Sequence, residues 1–518
     1  MYNLTNPTGL ISGKRILLIF PPYPHFAGDF VRDPAATLSM SMVYAGELIE
    51  QGHLIKGEQN EVSYFDCQLH DIRDKKLGEY DYFGMSVMGG QNIVSAYDTF
   101  NVLVKGFGID PSRIFLGGQG IEYLFPDEFK AIFPQANFMP RQTNEIEGYW
   151  NISLERQIEK FPEEDIRAYF GNELTLLFSQ GCVFPCTFCA ADKRNPEQFY
   201  NTQDNFGYFL RKAKQLGIRD LSFYATSLDF FQQWFDKLKN PNPREVLSRL
   251  EYMADAQEKY GVKANIRALA RKDTFNSAMG HQGITDIVKS AGFYSFGIGG
   301  EGVFTKGRLE AIRKDVNAYK DTPERQCLQF YETCQEHGFI ADNLYVLGFN
   351  DILNKGRDPR IELKTEEKSI LALLTKFPNS VMRLYVAKEA VPGNDGWPLL
   401  RHTNPETHKR LMNNPNLILN IGYEVLANPE SHPSKTYRKL VNHTLIKVAS
   451  FADERKQLVN YHTIPILETD GYEILDMEDL LVYKKIIGKF APDITSSLTL
   501  ENMPDLRSVL NRRIDRDK

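Results

Sequence analysis

A chain of 518 residues is long enough for two to four domains, and a composition 42% hydrophobic and 25% charged is that of an ordinary folded protein. A formal net charge of -6 gives no reason to expect nucleic acid or an anionic membrane as partner, and no apolar run approaches the roughly 18 residues of a membrane span. Met1 to Lys14 lack a basic stretch followed by an apolar core, so no signal peptide is expected, and six cysteines with three clustered fit a reducing, cytoplasmic setting.

In chain order the first elements alternate. Arg-Ile-Leu-Leu-Ile-Phe at 15–20 is a short apolar run ended by Pro21-Pro22, the pattern of a buried parallel strand. A helical pattern from about Ala35 to Gln51 stops at Gly52. Strands are expected at Glu61 to Asp66, Tyr80 to Val87 and Ser112 to Leu116, with a helix from about Asn92 to Gly106 between the last two. Strands separated by helices predict an α/β fold: a parallel sheet with right-handed crossovers, here a Rossmann-like domain over residues 1–140. Ligands of such sheets bind beyond the carboxyl ends of the strands, where this chain places the loops Pro21 to Gly28, Ser86 to Gln91 and Gly117-Gly118-Gln119-Gly120. Glycine there lets the backbone approach a bulky ligand closely, and it is also ordinary turn chemistry after a strand.

Residues 141–170 become irregular and charged and read as a linker with one short helix. The alternation then resumes. Strands are expected at Leu174 to Phe178, Asp220 to Tyr224, Lys263 to Leu269, Ser295 to Ile298, Asn343 to Leu347 and Val381 to Val386. Helices are expected at Gln203 to Leu216, Arg244 to Tyr260, Ile284 to Ala291, Pro323 to His337 and Thr365 to Phe377. Six such steps predict a partial (β/α)6 barrel over 171–396, whose active residues gather at the C-terminal strand ends. Residues 397–518 are expected to form a small mixed, mostly helical domain closing one side of the barrel.

Directly after the first barrel strand comes Gly181-Cys182-Val183-Phe184-Pro185-Cys186-Thr187-Phe188-Cys189, three thiols in a C-x3-C-x2-C spacing. Soft thiolates crowded into one loop select zinc, copper or an iron–sulfur cluster. Three ligands also leave one metal position open, which is where chemistry happens. A structural zinc site wants a fourth His or Cys within a few residues, and Ala190 to Gln198 supplies neither. Cys327 and Cys334, seven apart on one face of a predicted helix, are expected to be buried apolar thiols. The aromatic-rich helix expected at Phe230 to Trp234 is read as packing or surface rather than catalysis.

A C-x3-C-x2-C loop after the first strand of a (β/α)6-like barrel resembles the radical S-adenosylmethionine (SAM) enzymes, over roughly Glu173 to Asn394. The resemblance implies that Cys182, Cys186 and Cys189 hold three irons of a 4Fe-4S cluster, the fourth iron taking the amino and carboxylate groups of SAM. Phe188 then lies beside the adenine. Glu301, in Ile298-Gly299-Gly300-Glu301-Gly302 at the fourth strand's end, contacts SAM at its ribose, with Gly302 standing where serine is usual. Arg267, on the third strand, is a candidate for the SAM carboxylate, with a surface or core-rim role as the equal alternative. Tyr224-Ala225-Thr226-Ser227 lacks the acidic residue of many relatives, and Pro392-Gly393-Asn394 resembles the family's Pro-Gly turn.

The N-terminal half resembles the cobalamin-binding domain fused ahead of this barrel in one large subclass. Its marks are the strand ending in Pro-Pro, the loop Ser86-Val87-Met88, and Gly117-Gly118-Gln119-Gly120, the two loops cradling the corrin face and the nucleotide tail. His25, in Tyr23-Pro24-His25-Phe26-Ala27-Gly28, keeps the His and Gly of the mutase-type D-x-H-x-x-G without its Asp. A metal-bound His normally leans on such a partner, so His25 is expected to be a loop residue near the corrin rather than a cobalt ligand.

What the resemblance implies chemically is reductive cleavage of SAM to a 5'-deoxyadenosyl radical, with methylcobalamin delivering a methyl group to an unactivated carbon of a small-molecule substrate. An electron donor such as flavodoxin or ferredoxin is the implied protein partner. Other members rearrange, cyclise or oxidise instead. A methylthiotransferase would carry three more cluster cysteines in its N-terminal domain, where only Cys67 stands. A non-catalytic iron–sulfur module would need neither Glu301 nor a second cofactor domain. The substrate is expected near Tyr385, Lys388 and Glu389, at the last strand's end.

Overall fold

A computed structural model describes residues 13–21, 38–51, 60–87, 92–122, 124–139, 154–180, 186, 189, 197–198, 202–226, 230–231, 243–281, 283–300, 322–347, 359–386, 396–403, 405–413, 444, 448, 451 and 459–461. The first sheet is built from β1 (Arg15–Phe20), β2 (Glu61–Asp66), β3 (Tyr82–Ser86), β4 (Ile114–Gly117) and β5 (Asn137–Met139). Its order is β2-β1-β3-β4-β5, every pair parallel. Helices α1 (Met40–Glu50), α2 (Asn92–Asn101), α3 (Gln119–Glu122) and α4 (Pro126–Ile132) connect the strands. β5 is a strand that the sequence pattern hides, because only three residues pair before Pro140. α2 closes in a π-helical turn, Val102–Gly106.

β1 explains why its apolar run has no gaps. Ile16, Leu18 and Phe20 enter one core and Leu17 and Ile19 another, since helices cover both faces of a parallel sheet. The first of these cores does not stop at the sheet. It continues through Leu154, Ile158, Phe161, Ile166, Tyr169 and Phe170 into the helix layer of the second sheet.

Those bridging residues lie in the stretch expected to be a linker with one short helix, and the structure places two helices there, α5 (Glu155–Ile158) and α6 (Glu163–Phe170). Charged residues on this stretch are partners of the first sheet's residues. Gln157 accepts from Tyr64 Oη at 2.8 Å and donates to Glu47 Oε2 at 2.6 Å and Glu50 Oε2 at 2.9 Å. Arg156 pairs with Glu47 at 2.9 Å, and Tyr169 Oη donates to Asp66 Oδ2 at 2.7 Å.

Asp66 makes this seam sensitive to pH. Burial drives its carboxyl from the usual 3.8 up to about 6, against the pull of hydrogen bonds from Tyr169 and Gln68. A raised folded-state value means that Asp66 contributes stability below pH 3.8 that is lost as pH rises through about 6. The amount is about 3 kcal/mol at 1.36 kcal/mol per pH unit. Asp66→Asn keeps an acceptor for Tyr169 and never ionises. Urea unfolding at pH 4 and pH 7 is therefore expected to show the variant gaining on the wild type by up to that amount as pH rises; a pH-independent difference would refute the assignment.

The second sheet follows in strict sequence: β6 (Glu173–Leu177), α7 (Thr202–Gln215), β9 (Asp220–Thr226), α8 (Pro243–Tyr260), β10 (Lys263–Leu269), α9 (Lys272–Met279), α10 (Ile284–Ser290) and β11 (Phe293–Gly299). Then come α11 (Pro323–His337), β12 (Ile340–Leu347), α12 (Pro359–Lys376), β13 (Val381–Val386), α13 (Gly396–Thr403), α14 (Pro405–Asn413) and β14 (Val459–Tyr461). The order is β14-β13-β12-β11-β10-β9-β6, all parallel, and among the described residues β6 and β14 do not pair, so the sheet is an open barrel. α11 shows how locally its limits are written. Pro323 opens it, Thr322 Oγ1 accepts from Arg325 N at 3.3 Å, and Gly338 at φ 71° ends it. Cys327 and Cys334 are buried on it, as expected. Phe230 and Phe231 are buried in an aromatic cluster with Phe293, Phe296 and Phe275.

The C-terminal segment splits its contacts. β14 adds a seventh strand to the barrel sheet beside β13. Helices α13 and α14 instead return to the first domain, where Trp397, Leu400 and Met412 join the core beneath α4. Glu128, fully buried, accepts from Trp397 Nε1 at 3.0 Å and from Phe125 N at 2.9 Å, and its other oxygen meets His408 Nε2 at 2.6 Å. Among the described residues no helix is long and apolar enough to cross a membrane.

Candidate functional site

The cysteine loop leaves the end of the first barrel strand. Phe178, just past β6, is buried and donates its N–H to Thr226 O at 3.3 Å, fixing where the chain exits. The next two residues form β7 (Ser179–Gln180), which pairs antiparallel with β8 (Glu197–Gln198). A short ribbon thus ties the two ends of the 181–196 segment side by side. Within it Cys189 N donates to Cys186 O at 3.3 Å, and both cysteines are partly buried, neither of them in a disulfide. Soft donors three residues apart in one short segment are the residue type that a thiolate-ligated metal centre needs. Cys182 and Phe188 lie outside the described residues, as does Glu301.

Strand alternation gives the barrel two unlike faces. Leu174, Leu176, Phe223, Ala225, Ile266 and Ala268 are buried toward the helices. Residues of the other parity form a mostly buried, polar trough. Arg267 lies in that trough, its Nε donating to Glu173 Oε1 at 2.6 Å and its guanidinium 4.4 Å from the centre of the Tyr224 ring. Burial works against the charged guanidinium, but Glu173 more than compensates and raises its pKa further. Beyond β11, Arg383 Nε donates to Asp342 Oδ2 at 2.7 Å, while burial pushes the Asp342 carboxyl up against the pull of Arg383. Between the two pairs stands Gly297, where a Cβ would come within 2.8 Å of Leu269 and 2.9 Å of Leu344. Arg267 is therefore committed to a floor of ion pairs. Sequence reasoning passed over Glu173, Asp342 and Arg383, although a charged residue inside an otherwise apolar strand was the available signal.

The first sheet presents a second site. In a 2-1-3-4-5 sheet the crossovers leave β1 and β3 in opposite directions, which opens a crevice at their carboxyl ends. Ser86 ends β3 at this point, and the turn after β4 folds onto it: Val87 N donates to Gly117 O and Gly120 N to Val87 O, both at 2.8 Å. Gly118 sits at φ 99°, and a Cβ on it would meet Val87 O at 2.7 Å and Ser86 Oγ at 3.1 Å. His25 and Met88 lie outside the described residues, as does the side chain of Gln119. Gly118→Ala combines left-handed strain with a backbone clash and is expected to lower the unfolding free energy by about 3 kcal/mol. Gly217→Ala is the comparison, since its φ is 76° with nothing within 4 Å. It is expected to cost only about 1 kcal/mol. Equal losses in urea titrations would show that the turn is not packed as described.

The architecture so defined is a parallel switch-point sheet followed by an open parallel barrel, with the cysteine-bearing segment at its first strand end. The chain shares this fold with a solved radical S-adenosylmethionine methyltransferase, TsrM from Kitasatospora setae, with cobalamin and a 4Fe-4S cluster bound. The match is 12% identical, covers 76% of this chain and 75% of that one, and has a TM-score of 0.51. The cobalamin-dependent S-adenosylmethionine radical enzyme OxsB, with aqua-cobalamin bound, aligns with 97% of this chain and 84% of its own at 15% identity and a TM-score of 0.49, too loosely to argue from. No protein-family model matches the chain. No curated protein matches its sequence.

Proposed function

We propose that the chain is a cobalamin-dependent radical SAM enzyme that methylates an unactivated carbon of a small molecule. The observation that carries the reading is the joint placement of the C-x3-C-x2-C loop at the first strand end of an open barrel and of a switch-point crevice in the sheet ahead of it. When bound, the cluster with SAM supplies one-electron chemistry and cobalamin supplies a transferable methyl group. Cys182, Cys186 and Cys189 hold the cluster. Glu301 and Phe188 hold the ribose and adenine of SAM. Ser86, Val87, Met88 and Gly117 to Gly120 line the cobalamin crevice, with His25 in the loop beyond β1. The ion-paired floor under the trough, Glu173–Arg267 and Asp342–Arg383, keeps the base of the barrel fixed and leaves its mouth for substrate. A low-potential donor of the flavodoxin or ferredoxin kind delivers the electron.

The test is anaerobic purification with cluster reconstitution, followed by an ultraviolet-visible spectrum and incubation with SAM and a reductant. Cluster and corrinoid bands together with 5'-deoxyadenosine support the reading. Cluster bands without any SAM cleavage point to a binding module. 5'-deoxyadenosine without formation of methylcobalamin points to rearrangement, cyclisation or oxidation.

A further inference from the structure

We propose that Asn343 is a positioning residue for SAM: its buried carboxamide braces the end of β11 at Gly300, the residue before Glu301. The inference rests on the SAM reading above and adds to it a side chain of another strand, β12, that no motif marks. Asn343 is 0% exposed, and neither its Oδ1 nor its Nδ2 has a hydrogen-bond partner. Its register neighbours are apolar and buried, Ile298 on β11 and Met382 on β13. From α11 the phenol of Tyr331 comes near the amide without closing a hydrogen bond, so its oxygen is unsatisfied as well.

An unsatisfied buried amide destabilises a fold, whereas an apolar side chain of the same shape at that place would not. Side chains that break a local rule in this way are expected at functional sites, where their polarity serves something other than stability. Gly300, itself buried, shows where the amide is directed. A Cβ there would come within 2.3 Å of Asn343 Oδ1, 2.7 Å of Nδ2 and 2.9 Å of Cγ. The carboxamide thus occupies the place that a side chain at residue 300 would need. On the same residue, Gly300 N donates to Leu344 O at 3.0 Å. β12 therefore meets the end of β11 twice, through the Leu344 backbone and through the Asn343 side chain. A carboxamide carries both donors and an acceptor, so it can bond the peptide groups that flank Gly300 when SAM is seated. Fixing those groups fixes the direction in which the chain leaves the strand toward Glu301.

The experiment follows 5'-deoxyadenosine formation by the reconstituted, full-length protein over a range of SAM concentrations. Asn343→Leu is expected to raise KM for SAM about tenfold, the effect of one hydrogen bond, with kcat within about twofold of wild type and cluster iron intact. Its urea midpoint is expected at or above that of wild type, because the unsatisfied amide is gone. Gly300→Ala, whose methyl group displaces the amide, is expected to raise KM likewise. In a Glu301→Gln background Asn343→Leu is expected to add nothing further. An unchanged KM in Asn343→Leu overturns the proposal, and so does a rise in KM that persists in full beside Glu301→Gln. A lower kcat with lost iron and an unchanged KM marks a purely structural residue and overturns it too. A wild type that cleaves no SAM overturns the SAM reading itself, and the proposal with it.

Discussion

Cys186→Ala is expected to lose cluster iron and to lower SAM cleavage by at least about 100-fold, or about 2.7 kcal/mol of barrier. Cys186 accepts at its carbonyl the hydrogen bond from Cys189 N, so the variant keeps that backbone bond and removes only the thiol. A cluster bound by three thiolates has no spare ligand, because the other cysteines lie elsewhere in the fold. Cys67 follows β2 in the first domain, where burial pushes its thiol up to about 12. Cys334 is buried on α11, its thiol likewise pushed up by burial. Buried neutral thiols of that kind are poor ligands. Cys334→Ala is the control, expected to keep iron and SAM cleavage while costing about 1 kcal/mol of stability. Iron analysis and 5'-deoxyadenosine assays of the two variants decide the matter; a Cys186→Ala protein with full iron content removes the cluster assignment.

The second large effect is expected at the barrel floor. Glu173→Ala strands Arg267 in the trough with its main partner gone, and the penalty for an uncompensated, mostly buried charge is about 3–5 kcal/mol. The guanidinium keeps its stacking on Tyr224, but that contact is worth about 1 kcal/mol and does not offset the loss. Removing both charges is a different operation. Glu173→Met with Arg267→Met replaces the pair by apolar groups of similar volume and is expected to fall within about 1 kcal/mol of wild type. Chemical unfolding of the single and double variants measures the difference directly. A single variant as stable as wild type would mean that the pair is solvated and contributes little.

Most strands and helices of both sheets were legible, because β1 reads as an uninterrupted apolar run and the barrel strands alternate buried with polar positions. β10 and β13 begin and end where their patterns do. What escaped was structure whose cause lies elsewhere in the chain. β5 has too few residues to show a period, and it pairs because β4 offers an open edge. The 154–170 stretch looked like a charged linker because Arg156, Gln157 and Lys160 find their partners about a hundred residues away, on α1. The trough was half legible. Arg267 stood out as a charge within an apolar strand, but its partner Glu173 sits on another strand, and no spacing rule connects them. Ser86 was marked by its place at a strand end, where ligands of such sheets gather.

The return of α13 and α14 to the first domain has a consequence for how the molecule comes apart. Two helices that follow β13 in sequence pack on the first domain, so the two parts of the chain are joined by more than the 154–170 segment. Glu128 holds Trp397 and His408 to α4, and because one core runs from β1 through α5 and α6 into the second sheet, neither sheet can melt without stripping apolar surface from the other. Loss of order in the barrel and in the switch-point sheet is then a single event, and the two sites they carry are kept or lost together.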